Sequence, residues 1–336
     1  MLKSTQSIMV TGAAGFIGFH VSQALLKAGY NVVGVDNLND YYDVNLKHAR
    51  LNQLKIFANF AFHKADIADR LEMAKIWDQY PDIDQIIHLA AQAGVRYSLI
   101  NPFAYVHSNL LGHLVILELC RHRRNFKHLV YASSSSVYGS NKNSPFSVQD
   151  RTDSPISLYS ATKKADELMS QAYTHLYQIP ATGLRFFTVY GPWGRPDMSA
   201  YLFAKAILED KPIQVFNQGN MKRDFTYIDD IVTGILGALN RNPVDAKGQP
   251  DHKVYNLGNN HCEPLMKFIE LIEKALGKQG QKDLLPMQPG DVAETFADIT
   301  ESIRDLNFMP KIQIAKGIPL FIEWFQEHPQ QFKTAV

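Results

Sequence analysis

The sequence predicts an α/β fold: a doubly wound parallel sheet with a smaller C-terminal lobe. Three observations predict it. Short β-prone apolar runs alternate with helix-patterned stretches through the first half, as right-handed βαβ crossovers require. Gly12, Gly15 and Gly18 follow the first run and open a helical stretch. After about residue 180 proline and glycine become frequent, as in Gly191-Pro192-Trp193-Gly194-Arg195-Pro196.

Element by element, residues 8–11 read as a buried strand, 16–28 as a helix stopped by Gly29, and 32–35 as a second strand. Residues 86–90 and 129–132 are further short strands. The apolar run 114–119 ends in Arg121-His122-Arg123-Arg124, which reads as the cation-rich end of a helix. Asp153-Ser154-Pro155 supplies cap-type residues ahead of a helix carrying Tyr159 and Lys163. Residues 224–237 have helical spacing and are expected to pack back on the first domain. The resulting division is 1–180 for a nucleotide-binding domain, with 224–260 against it, and 181–223 plus 261–336 for a substrate-binding lobe.

Bulk properties exclude several classes. The 336 residues carry a formal net charge of +1, so no overall field gathers nucleic acid or anionic lipid. Cys120 and Cys262 stand far apart and outside any CxxC pattern, which argues against a metal site or disulfide framework and suits a reducing cytosol. The N-terminus, with Lys3 and a short apolar stretch broken at Gly12, does not read as a signal peptide. No run reads as long enough to span a bilayer. The expectation is a soluble cytoplasmic protein.

The glycines have GxxGxxG spacing. Gly12 permits the tight turn, Gly15 lets backbone approach a pyrophosphate, and Gly18 lets helix pack on strand. Phe16 and Ile17 begin that helix, whose free N–H groups face the anion. This is the signature of a Rossmann-type dinucleotide site. Asp36 closes the second strand, placed to hydrogen-bond both ribose hydroxyls and to repel a 2′-phosphate. Asn37 and its neighbours 38–40 offer no arginine to receive such a phosphate, so NAD is favoured over NADP. Asp66 and Ile67 are placed at the adenine, with a solvated loop acid as the alternative for Asp66.

Tyr159 and Lys163 form a YxxxK pair on one helix face. Tyrosine alone, with pKa ~10, is a poor base near neutrality. An ammonium ~4 Å away at an effective dielectric of ~20 contributes about 4 kcal/mol, enough for about three pKa units. The strand before it ends in Ser133, Ser134, Ser135 and Ser136, at the carboxyl edge where α/β sheets bind ligands. Buried hydroxyls there need partners, and a substrate is one.

Several long stretches carry a resemblance in the right order. They are Thr11-Gly12-Ala13-Ala14-Gly15-Phe16-Ile17-Gly18, His88-Leu89-Ala90-Ala91-Gln92-Ala93-Gly94-Val95-Arg96-Tyr97-Ser98 and Ser134-Ser135-Ser136-Val137-Tyr138-Gly139. Beyond the YxxxK pair come Arg185-Phe186-Phe187-Thr188-Val189-Tyr190-Gly191-Pro192, Arg223-Asp224-Phe225-Thr226-Tyr227-Ile228-Asp229-Asp230 and Gln288-Pro289-Gly290-Asp291-Val292. The chain resembles the extended short-chain dehydrogenase/reductase family, and within it the UDP-glucuronate 4-epimerases.

That resemblance implies reversible C4 epimerisation of a UDP-hexuronate with transient hydride transfer to tightly bound NAD. It makes Tyr159 the base, Lys163 the group that binds nicotinamide ribose, and Ser134 the partner of the sugar's 4-oxygen. Leu89, Ala90 and Ala91 would line the cofactor, and Asn109 the cofactor or substrate wall. Arg223 would contact the diphosphate, Phe216 would flank uracil, and Arg96 would join the substrate residues. Ser134, Ser135, Ser136 and Thr188 supply hydroxyl donors that would hold the sugar carboxylate, and Arg195 resembles the arginine of uronate epimerases. Ser136 stands where dehydratases and decarboxylases tend to carry an acid, and Thr188 where neutral-hexose epimerases usually have Asn. Gln288 departs from the arginine that many relatives have. The resemblance further implies a homodimer; no metal is expected, given the two isolated cysteines. Its rivals are a UDP-glucose 4-epimerase, a dehydratase or decarboxylase of the same family, and a non-catalytic NAD-sensing protein.

Overall fold

Wholly buried Ile8, Met9 and Val10 form the centre of β1 (Ser7–Thr11) in a computed structural model that describes residues 6–288 and 290–328. Lys3, Pro289 of the Gln-Pro-Gly-Asp stretch and the end of the expected lobe, 329–336, lie outside the described residues. From β1 the chain runs through α1 (Phe16–Lys27), β2 (Asn31–Asp36), α2 (Val44–Lys55), β3 (Phe60–Lys64) and α3 (Arg70–Gln79). β4 (Gln85–His88) leads by way of α4 (Tyr97–Ile100), α5 (Pro102–Tyr105) and a π-helical stretch, Val106–Leu111, into α6 (Gly112–His122). β5 (His128–Ser134) ends in a 3₁₀ turn, Ser135–Tyr138, and is followed by α7 (Leu158–Tyr177).

The remainder comprises β6 (Ala181–Phe186), β7 (Thr188–Tyr190), α8 (Ser199–Leu208), β8 (Ile213–Val215), β9 (Lys222–Tyr227), α9 (Ile228–Leu239) and β10 (His252–Leu257). Then come β11 (Cys262–Pro264), α10 (Leu265–Leu276), β12 (Lys282–Leu284), α11 (Thr300–Leu306) and α12 (Ile314–Glu327).

Seven strands make one sheet in the order β10-β6-β5-β4-β1-β2-β3, every neighbouring pair parallel. The crossover after β3 returns to the other side of β1, so the order reverses between β1 and β4. Loops at that switch point part on opposite faces and leave a crevice at the carboxyl edge. A three-stranded sheet, β11-β9-β7, and the β12-β8 pair build the smaller lobe over it.

Four sequence expectations change here. Residues 181–186, assigned to the lobe, form β6 inside the large sheet with all six residues buried. Thr182, Gly183 and Arg185 break the apolar run that would have marked it as a core strand. The helix expected over 224–237 begins only at Ile228, because Lys222–Tyr227 pair as β9, a strand buried on both faces from Asp224 to Tyr227. The cap of α7 is Ser157, not the Asp153 stretch: its hydroxyl accepts from Ser160 N–H while the Ser160 hydroxyl accepts from Ser157 N–H. Finally, Pro102–His122 is one continuous helical stretch long and apolar enough to cross a membrane by length and composition. The sequence reading saw only its 114–119 portion. Half of the stretch is buried inside the fold, where Ile116 and Leu117 join the core beneath the sheet, as in the core helix of a globular domain.

The sheet buries three histidines. Burial pushes His88 down to about 3, His128 to about 4 and His113 well below the usual 6.5. An unfolded chain protonates such groups below about 6.5 while the fold refuses the proton, so stability falls as pH drops through that window. Burial pushes the carboxyls of Asp166 and Asp224 the other way, up to about 6, so they strengthen the fold as pH falls from about 6 towards 4. Each group acts with about 1.4 kcal/mol per pH unit, and the three histidines outweigh the two aspartates. The urea midpoint is therefore expected to fall between about pH 7 and 5. A midpoint that rises over that range would contradict neutral buried histidines.

Candidate active site

The β1–α1 turn is built for close approach. Gly12 has φ +72°, and a Cβ there would lie 2.8 Å from Ala90 N. A Cβ on Gly18 would lie 2.0 Å from the Gly12 carbonyl oxygen. Side chains are thus excluded where strand, helix and the β4 loop converge, which leaves the first turn of α1 open to an anion. Thr11 braces the turn from behind, its hydroxyl 2.7 Å from His88 Nδ1 and accepting from Ala90 N–H.

Asp36 accepts from the N–H groups of Ala14 at 3.1 Å and Leu38 at 2.8 Å. Lys47 of α2, which the sequence reading missed, brings its ammonium to 4.0 Å from the same carboxylate and donates to Asn39. Burial pulls the Lys47 pKa down while Asp36 opposes the shift. The Asp36 carboxylate ends β2 where it meets a ribose hydroxyl and repels a 2′-phosphate. The glycine cradle and this acid fit NAD.

A cleft of about 1020 Å³ joins this cradle to the lobe. Its wall includes Gly12, Gly15, Phe16, Ile17, Gly18, Asp36, Asn37, Ile67, Leu89, Ala90 and Ala91 on the cradle side. Tyr159, Lys163, Ser134, Ser135, Ser136, Thr188, Arg195, Phe216, Arg223 and Arg96 line the remainder. Asp66 and Asn109 stand behind the wall. Asp66 accepts from the Asn37 amide at 3.2 Å and so fixes a wall residue. Asn109, raised by the π-helical stretch, bonds both backbone groups of Gln92 and the Thr162 hydroxyl, clamping the β4 loop to α7.

At the head of α7, the Tyr159 ring meets Tyr105 edge-on at 5.9 Å. Lys163 is 3 % exposed and donates to the Ala132 carbonyl at 2.9 Å and to Asp166 at 3.1 Å. Three of the four serines differ in their partners. Ser133 donates to Glu167 at 2.7 Å, Ser134 accepts from Ser136 N–H, and the buried Ser136 hydroxyl has no protein partner. That hydroxyl is therefore the one in the serine run whose hydrogen-bonding capacity the protein leaves unused.

On the lobe side, Arg96 lies 4.6 Å over the Phe216 ring and pairs with Asp291 at 3.1 Å. Arg223 donates to the carbonyls of Lys222 and Ala293. Gln288 does not line the cleft; its carbonyl accepts from Asp291 N–H. Arg195 is engaged within the protein: its guanidinium forks onto Asp197, which also accepts from the Tyr41 hydroxyl at 3.1 Å. Burial would raise the Asp197 pKa, but the Arg195 charge outweighs it and keeps that carboxyl below its usual range. The sequence reading anticipated neither partner. Among the described residues no cluster of three His, Cys, Asp or Glu side chains could hold a metal ion.

Residues 8–258 match the NAD dependent epimerase/dehydratase family. The chain is 48 % identical over 333 residues to Protein CapI of Staphylococcus aureus, covering 96 % of this chain and 98 % of that one. It is 43 % identical to a probable UDP-glucuronate 4-epimerase of Rhizobium meliloti, covering 98 % and 99 % respectively. Among solved structures, the UDP-glucuronic acid 4-epimerase of Bacillus cereus in complex with UDP-glucuronic acid and NAD superposes with a TM-score of 0.88 at 35 % identity, covering 96 % of this chain and 100 % of that one.

The cradle yields a direct test. Gly18→Ala forces a Cβ to 2.0 Å from a backbone oxygen, so the purified variant is expected to lose its bound dinucleotide and to melt several degrees lower. Full dinucleotide content, read from the absorbance of the acid-released nucleotide, would contradict the cradle.

Proposed function

The chain belongs to the NAD dependent epimerase/dehydratase family, and from that premise we propose that it interconverts UDP-glucuronate and UDP-galacturonate by reversible epimerisation at C4. The observation that carries the reading is the hydroxyl wall. Ser134, Ser135, Ser136 and Thr188 line the same cleft as Tyr159 and Lys163, and the Ser136 hydroxyl is buried without a partner. Relatives and a solved structure with this architecture are UDP-glucuronate 4-epimerases.

NAD held by the glycine cradle and Asp36 would supply the hydride acceptor and donor for C4. Tyr159, as phenolate, takes the C4 hydroxyl proton and gives it back, and the neighbouring Lys163 ammonium favours that phenolate. Hydroxyls suit both sugar orientations because each donates or accepts. The 4-keto uronate is a β-keto acid and loses CO₂ when its carboxylate stands perpendicular to the ketone. Ser134, Ser135, Ser136 and Thr188 hold the carboxylate near the ketone plane through charge-assisted hydrogen bonds. No carboxylate at position 136 repels it. Arg195, neutralised by Asp197, shapes that end of the pocket. Arg96 and Arg223 receive the diphosphate, and Phe216 flanks uracil.

Two further readings belong with this function. The enzyme works in the cytoplasm, consistent with two free cysteines and a nucleotide-sugar substrate. It works as a homodimer, because α6 and α7 pack side by side and expose Leu114 of α6 at 37 % with Leu168 at 59 % and Leu176 at 63 % of α7. Apolar exposure of this kind suits a second copy.

Incubation with UDP-glucuronate and with UDP-glucose, products identified by NMR, tests the reading. UDP-galacturonate is expected from the first, and little turnover of the second, because donors built for a carboxylate lose their partner against a neutral hydroxymethyl. Equal turnover, or preference for UDP-glucose, would overturn the uronate assignment. Tyr159→Phe is expected to retain NAD and lose ~10²–10⁴-fold in kcat. Near-normal turnover would remove Tyr159 as the base.

A further inference from the structure

Two acids follow Lys163 on α7, and they do different work. Glu167 ties the helix to β6 and β5 through Arg185 and Ser133. The Asp166 side chain ties α7 to nothing: it is 1 % exposed, Oδ2 accepts from Lys163 at 3.1 Å, and Oδ1 has no partner. Burying a carboxylate with half its hydrogen-bonding capacity unused is costly, and the fold gains no cross-link from it. Its one side-chain hydrogen-bond partner is the Lys163 ammonium, one helical turn after Tyr159 on α7.

We infer that Asp166 is a positioning residue for the proton-transfer step: it anchors the Lys163 ammonium against the Ala132 carbonyl and tempers the positive field that Lys163 exerts on Tyr159. The inference rests on Tyr159 as the base. A base that must take a proton and return it within one cycle works best with a pKa near the operating pH. An uncompensated buried ammonium would over-stabilise the phenolate and weaken it as a base, whereas an ionised Asp166 offsets part of that charge.

The surroundings leave Asp166 as the variable charge. Lys163 and Glu167 face it from its own helix, Tyr131 from β5 and His113 from α6, while His88 of β4 faces Lys163. The histidines are held neutral by burial, and Glu167 is held ionised because Arg185 outweighs its own burial. Burial pushes the Asp166 carboxyl up to about 6, against the pull of Lys163.

The test reads the phenol itself. The ultraviolet phenolate absorbance of the NAD-loaded protein is titrated, subtracting the matching Tyr159→Phe protein. Asp166→Asn, and the smaller Asp166→Ser, are expected to lower the Tyr159 midpoint by about one pH unit, and Asp166→Glu to restore it. The acid limb of the kcat profile is expected to shift by the same amount. A midpoint that is unmoved or raised in the neutral variants overturns the inference, even where turnover falls, because Asp166 would then be structural only. Absence of turnover in the unsubstituted protein would overturn the epimerase reading, while the midpoints still decide the role of Asp166.

Discussion

Glu167 on α7 and Arg185 on β6 meet in a forked ion pair at 2.8 and 2.9 Å, with both residues only 3 % exposed. Arg185 donates onward to the Tyr138 hydroxyl, which donates to Asn256 on β10, and Asn256 reaches the carbonyls of Phe146 and Asp298. Every link is a buried polar group satisfied by the next, so the network holds one arrangement firmly. It fixes the angle at which α7 lies on the sheet, and α7 carries both Tyr159 and Lys163. Removing one partner of such a pair costs ~3–5 kcal/mol because the other charge is left buried and alone.

The cradle end has a comparable anchor. Arg50 of α2 is fully buried and spends its guanidinium on the carbonyls of Ala14, Trp193 and Gly194 and on the Tyr42 hydroxyl. One side chain therefore joins the phosphate turn to the proline–glycine loop that carries Arg195. The two halves of the cleft are held by two arginines, one under each end. Both are structural, whereas Arg96, paired with Asp291, and Arg223, bonded to the Lys222 and Ala293 carbonyls, line the cleft itself.

Much of this was legible in the residues. Gly12, Gly15, Gly18 and Asp36 are local signals, since turn, helix start and strand end fall within a short stretch of chain. Tyr159 and Lys163 share a helix face for the same reason. What escaped were pairings across the fold. Lys47 lies on a helix that is largely polar, and its approach to Asp36 depends on how α2 packs. Asp166 and Glu167 look like solvated helix acids until α7 is laid on the sheet. Arg185 disguised β6 as part of the lobe, although a buried arginine in a strand is intelligible once its acid is found. Asp197 and Tyr41 enclose Arg195 only because the 191–196 loop folds over the cradle.

The chemistry turns on one event: a hydride leaves C4 and returns to the same carbon within the cleft. UDP-glucuronate deuterated at C4 tests it most directly. The account predicts that UDP-galacturonate keeps the deuterium at C4, with slowed turnover when hydride transfer limits the rate and no label in the solvent. Loss of the label to water would contradict it, since that outcome requires proton abstraction at carbon instead of hydride transfer between C4 and a bound cofactor.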